Sequence, residues 1–251
     1  MNKLRAIRWI FLCVGIGACA GRSDRPQGSD ELFYHAQLLL ERSQYLDAIV
    51  AFEGFRDAHP GSRFVDGAIY GLGRAHYEEG EYLVASVHFG RIVDDFPDSA
   101  YRSAARYQLG RCFDALANDA ALDQGYTLRA IEQYSLYQVE YPAGDDLAAV
   151  DIRMVILRNR LAEKEVRTGE FYLRRGRAEA ALLYLDRVVE RFEDTGLFQR
   201  ARLARAQALV LLDRADEARK ILVDLAGGND EVAEGARESL EQLRQSGGEA
   251  G

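Results

Sequence analysis

Apolar and small residues recur along most of this chain at steps of three and four, the spacing of one helix face. Turn residues break the pattern at regular places. Three of the four prolines stand in look-alike settings, His59–Ser62, Phe96–Ser99 and Tyr141–Gly144. Phe192–Thr195 has the same shape, with Glu193 in the proline's position. Twelve residues before Pro60, Pro97, Pro142 and Glu193 lie Ala48, Ala85, Ala130 and Ala181, and Ala218 stands twelve before Asp230. Four residues after each alanine comes a bulky side chain: Phe52, Phe89, Tyr134, Leu185 and Leu222. Three further on are Phe55, Ile92, Tyr137, Val188 and Leu225. A second small residue, Ala36, Gly73, Gly110, Gly169 or Ala206, precedes the alanine by twelve positions in every copy but the third, where the gap is twenty. Bulky partners follow it by three: Leu39, His76, Phe113, Tyr172 and Leu209.

Each unit therefore predicts two amphipathic helices, with small residues where their backbones approach closely. Glycine-bearing turns such as Glu78–Tyr82 and Arg174–Ala178 suit the end of the first helix. Five copies in register are the tetratricopeptide pattern. The expected fold is all-α, a solenoid of five helix pairs whose stacking leaves a concave inner face. Eight extra residues around Ala117–Thr127 lengthen the loop inside the third copy. Asp145 to Arg174 holds no strong breaker except Gly169, which predicts a long helix between repeats three and four. Proline at a boundary stops a helix and disfavours helical geometry before it, so Pro97 closes the second repeat. Asp98 or Ser99 is then placed to cap the next helix.

The first residues read differently. Lys3, Arg5 and Arg8 precede a short apolar run, Trp9 to Ile16. A stable membrane span needs roughly 20 apolar residues, so this run is a targeting segment. It ends in Ile16-Gly17-Ala18-Cys19, which resembles the bacterial lipobox, with Cys19 as the lipidated first residue of the mature chain. An ordinary secretory signal with an incidental cysteine is the alternative. Ala20 stands where an inner-membrane retention signal places aspartate, which points to outer-membrane sorting. Lipid anchoring follows from about 0.8 kcal/mol per buried CH₂. The expected organisation is a signal peptide at 1–18, a flexible tether at 19–30, repeats one to three at 31–145, repeats four and five at 146–245, and a disordered tail at 246–251.

Charge narrows the function classes. The chain carries 32 basic and 40 acidic residues, a formal net charge of −8. Such a body is a poor nucleic-acid partner, because that affinity rests on basic contacts to phosphate. If the signal leaves with Cys13 and Cys19 is acylated, Cys112 is alone in the body and reads as a small buried apolar residue. No metal-ligand spacing and no phosphate-binding loop occurs. His35 and His76 fall on packing positions, His59 precedes a boundary proline, and His88 adjoins Phe89. The expectation is a protein without catalytic residues, metal or cofactor, apart from lipid on Cys19.

The inner face holds the candidate chemistry. Three positions before the small residue stand Phe33, Tyr70 and Tyr107, and one position after it Gln37, Arg74 and Arg111. Tyr77 follows within a turn of Arg74. Aromatic rows supply apolar area and arginine pairs bidentately with carboxylates, so this surface suits an extended peptide with aromatic side chains and a carboxylate. The alternative is that the aromatics pack between helices. In copies four and five the same positions are Val166 with Glu170 and Leu203 with Gln207, so the row ends there.

Beyond the repeats, Leu157 to Thr195 carries "RLA-x-x-E", "FY-x-x-RG" and a closing Asp-Thr, and Asp123-Gln124 stands in the insertion. With the lipobox, these resemble the outer-membrane assembly lipoprotein family called BamD, ComL or YfiO. Glu193 departs from the family's usual proline. The resemblance implies a non-enzymatic subunit of the β-barrel assembly machinery, lipid-anchored at the periplasmic face of the outer membrane. It implies BamA-like POTRA domains as partner of the C-terminal repeats, other Bam lipoproteins nearby, and the C-terminal segments of unfolded barrel proteins in the N-terminal groove. A tetratricopeptide lipoprotein scaffold for cell division or peptidoglycan synthesis is the other expectation.

Overall fold

The computed structural model describes residues 28–248, with side chains to residue 245. The expected signal peptide, Cys19 and nearly all of the expected tether lie outside the described residues. Eleven helices follow one another within them: α1 Ser29–Glu41, α2 Tyr45–Ala58, α3 Val65–Glu78, α4 Tyr82–Asp95, α5 Arg102–Leu116, α6 Gly125–Glu140, α7 Leu147–Arg174, α8 Ala178–Arg191, α9 Phe198–Leu211, α10 Ala215–Leu225 and α11 Glu231–Gly248. Each packs on the next in antiparallel pairs. α1 also touches α3 directly, as α7 does α9, and the unpaired α11 lies on α9.

The register read from the sequence is the packing register. Ala48, Ala85, Ala130, Ala181 and Ala218 are fully buried, as are Phe52, Phe89, Tyr134, Leu185 and Leu222. The small residues opposite are small because these side chains lie on them. A Cβ on Gly73 would stand 2.7 Å from the Phe89 ring, on Gly110 2.5 Å from Tyr134, and on Gly169 2.6 Å from Leu185. Full burial of such a side chain contributes about 1.5–3 kcal/mol. His35, expected to pack, is instead exposed.

The turn within each pair has its own register. Ser43, Gly80, Gly176 and Asp213, each five positions before the alanine, take positive φ of 59°, 80°, 68° and 55°. Their neighbours close each first helix by a Schellman motif, for example Gly80 N–H to Tyr77 C=O and Glu81 N–H to His76 C=O. The third pair lacks this turn because residues 117–124 replace it. Gln124 organises that loop: its amide donates to the Asp119 and Leu122 carbonyls and its oxygen accepts from Thr127 Oγ1. Lys164 and Arg167 of α7 hold the loop from outside, through the Leu122 carbonyl and the Asp119 carboxylate.

Two expectations at element ends need correction. Ser99 does not cap α5, whose N-cap is Tyr101 with no side-chain bond. Ser99 Oγ accepts from the Tyr101 N–H and donates to Asp66 Oδ2 at 2.6 Å, so the Phe96–Ser99 turn is tied to α3. The last helix is the second correction. α11 belongs to no repeat and runs to Gly248, into the stretch expected to be disordered. Asp230 starts it by accepting from the Ala233 N–H at 2.9 Å, and Ala233, Ala236 and Leu243 bury its inner face.

Candidate functional site

The inner face of the first three pairs forms two adjoining clefts. Gln37 of α1 with Tyr70 and Arg74 of α3 line the first, together with Tyr101. Tyr77 of α3 with Tyr107 and Arg111 of α5 line the second, beside Asp114 and Arg153 of α7. Six of the seven residues picked from the sequence are thus brought together. Phe33 is the exception, and the correction has a clear cause. The Phe64 ring stacks on it at 4.7 Å, Phe52 and Phe55 flank it, and only 2 % of its surface remains exposed. Phe33 is core, not groove.

The aromatic walls are fixed from behind. Tyr70 stacks on Tyr101 at 5.0 Å and meets Phe89 edge-on at 5.5 Å. Tyr107 lies 6.2 Å from the buried Tyr134 ring and 6.1 Å from Tyr137. Tyr70 and Tyr107 are thus held half-buried against core rings. Arg111 joins the pieces: its guanidinium sits 4.6 Å over Tyr77 and 6.0 Å from Tyr107, and donates to Gln108 Oε1 at 3.1 Å. Stacked cation–π contacts of this kind contribute about 0.5–2 kcal/mol.

Charge in the clefts is positive and unspent. Neither Arg74 nor Arg111 forms an ion pair among the described residues, whereas Arg153 is held by Asp114 at 2.5 Å. Burial raises the Tyr70 and Tyr77 phenols above their ordinary range, with Arg74 and Arg111 respectively pulling the other way. Burial and the neighbouring Asp145 raise the Asp146 carboxyl, which Arg111 opposes. Tyr70 and Tyr77 therefore stay neutral hydrogen-bond donors at neutral pH. Each cleft can thus offer a carboxylate one arginine, Arg74 or Arg111, beside tyrosine rings for apolar side chains.

Sequence reasoning missed Tyr101, Gln108, Asp114 and Arg153. Asp114 and Arg153 gave no signal, because their pairing spans the insertion and the start of α7. Cys112 is fully buried beside the site, and burial pushes its thiol up to about 12, so it supplies no thiolate. Among the described residues no three His, Cys, Asp or Glu side chains gather as metal ligands, and no helix is long and apolar enough to cross a membrane. The equivalent inner positions of the fourth and fifth pairs, Glu170, Leu203 and Gln207, line a separate cleft, while Val166 is buried.

The chain is 24% identical over 217 residues to the outer membrane protein assembly factor BamD of Caulobacter vibrioides, covering 84% of this chain and 71% of that protein. Among solved structures, it resembles the TPR2AB-domain:pHSP90-complex of yeast Sti1 with 20% identity and a TM-score of 0.46, over 77% of this chain and 74% of that one. The assembly chaperone of RpL4, Acl4, matches with 16% identity and a TM-score of 0.32, over 89% of this chain and 99% of that one. The family model for YfiO, an outer membrane lipoprotein, matches residues 26–221, most of the chain, and the protein therefore belongs to the YfiO family of outer membrane lipoproteins.

Proposed function

We propose that this protein is a lipid-anchored subunit of the β-barrel assembly machinery, held by Cys19 at the periplasmic face of the outer membrane. Its first three helix pairs receive the C-terminal segment of an unfolded barrel protein. Its last pairs hold the POTRA domains of a BamA-like partner. The observation that carries the reading is the pair of uncompensated arginines, Arg74 and Arg111, set among tyrosines on the inner face of a chain from this family. A peptide ending in an aromatic residue offers a ring for the space beside Tyr70 or Tyr107 and a carboxylate for either guanidinium. A charge-assisted bond of this type contributes about 1.5–3 kcal/mol. The role is one of holding and presenting, not of bond chemistry.

The double variant Tyr70→Ala, Arg74→Ala tests the division of labour. Neither residue is fully buried, so the fold should survive. Binding of a barrel protein's C-terminal peptide, followed by fluorescence anisotropy, should weaken by at least roughly tenfold. Recovery of a POTRA-barrel protein by affinity purification from membranes should not change. Equal loss of both, with helicity intact, would refute the two-halves reading. So would recovery of division proteins alone.

A further inference from the structure

A cleft of about 630 Å³, separate from the two tyrosine-lined ones, lies between α7, α9 and α11. Its floor is aliphatic: Leu173, Leu203, Ala204 and Val232. One wall is α11, which presents Glu231, Glu234 and Glu238 at steps of three and four, along a single face. None of the three forms an ion pair among the described residues. Across the cleft, Glu170 is already answered by Arg200, whose Nε and Nη2 donate to its two oxygens at 2.7 and 2.8 Å. Arg200 also feels Glu231. The cleft thus holds four glutamates against Arg174 and Arg200.

We propose that this cleft is a second peptide site, with the opposite charge preference: it takes a partner segment that offers aliphatic side chains flanked by lysine or arginine. The helix dipole accounts for Glu231 and Glu234 in the first turn of α11, since carboxylates there are stabilised by the exposed N–H groups. It does not account for Glu238, which stands beyond that turn and four residues from Glu234, where like charges weaken a helix. A cationic ligand relieves that repulsion, and the aliphatic floor gives it apolar area to bury. Gly235, between the two glutamates, lets α11 approach α9 closely. A Cβ there would stand 2.9 Å from Leu203 Cδ2, so α11 lies flush on α9 with no side chain in the way. A divalent cation is a poorer occupant, because no three of the carboxylates converge as ligands. A second acidic copy of the chain, at net charge −8, meets repulsion instead. The acidic wall also lies beyond residue 221, outside the stretch that the family model matches, so the inference stands apart from the groove in the first three pairs.

The test uses the full chain and a fluorescein-labelled peptide of alternating leucine and arginine, with the leucine–glutamate peptide as comparison. The first should bind and the second should not. Glu234→Lys with Glu238→Lys should weaken binding roughly tenfold or more. Glu132→Lys with Glu190→Lys makes the same change in net charge elsewhere and should leave binding in place. Gln207→Trp, which fills the cleft without altering charge, should also weaken it. A C-terminal barrel-protein peptide should not compete. Absence of binding, equal loss in both charge-reversed proteins, or full binding by Gln207→Trp with intact helicity would each overturn the proposal.

Discussion

In the second and third helix pairs a ring fills the space between helices, Phe89 or Tyr134, and a glycine faces it; in the fourth and fifth a leucine does, Leu185 or Leu222, faced by Gly169 and Ala206. The choice reaches the surface. Core rings in the first half give Tyr70 an edge-on neighbour in Phe89 and Tyr107 a tilted one in Tyr134, so half-buried tyrosines line the clefts. Core leucines and alanines in the second half support an aliphatic floor instead, and acidic side chains from α11 rim it. The two halves share one backbone plan, yet the side chain chosen for the core decides what ligand chemistry the concave side offers.

The sharpest way to test that contrast is to crowd the two glycines. Gly110→Val drives a branched side chain into Tyr134, whose ring is hemmed in by Asp114 and Tyr107. Overpacking against so rigid a neighbour should cost about 3 kcal/mol in urea unfolding. Gly169→Val meets Leu185, which can change rotamer, and should cost about half as much. Equal losses would show that ring rigidity does not distinguish the halves.

A smaller difference should appear with pH. All four histidines lie in the first half. Burial, then the stacked His76, lowers the His88 pKa from 6.5 to about 4, with Arg56 and Arg91 adding to the effect. The unfolded chain therefore binds the proton first as pH falls. His88 favours the fold fully above pH 6.5, and that contribution is lost as pH drops from 6.5 through about 4. The Tm of the first half should fall across this window and flatten in His88→Phe. The second half should show no such histidine-dependent fall.

The mildest test compares the turns. Gly80→Ala and Gly176→Ala should each cost about 1 kcal/mol, because positive φ is strained for alanine. Ser43→Gly and Asp213→Gly at the same turn position should gain a few tenths, about 0.3–0.5 kcal/mol, in thermal melts. A loss in the latter pair would mean that those side chains support the turn themselves.

The repeat was legible because burial obeys it: every alanine in the proline-aligned register is fully enclosed. The long α7 was legible for want of a breaker. What escaped has physical reasons. Phe33 occupies the same register position as Tyr70 and Tyr107, and Phe64 stacks over it as Tyr101 does over Tyr70, but Phe52 and Phe55 also crowd its ring and close it off. α11 follows no repeat, although Asp230 and the spacing of Ala233, Ala236 and Leu243 carried the signal of a capped amphipathic helix. At Phe96–Ser99 the sequence suggests a cap from Asp98 or Ser99, because caps and turns favour the same residues. Ser99 resolves the ambiguity by bonding to the neighbouring helix.

α7 belongs to both halves, and that makes it a ruler. Arg153 near its start borders the tyrosine cleft, and Glu170 near its end borders the acidic one. Seventeen residues of helix separate them, roughly 25 Å at 1.5 Å per residue. An extended chain covers that span in about eight residues. A single ligand carrying a terminal carboxylate and, about that far upstream, a basic aliphatic stretch would engage both clefts at once, with a local concentration set by the helix instead of by diffusion. Shortening the spacing would leave each contact intact and abolish the gain. With both clefts occupied as proposed, the length of one helix would select ligands by sequence distance.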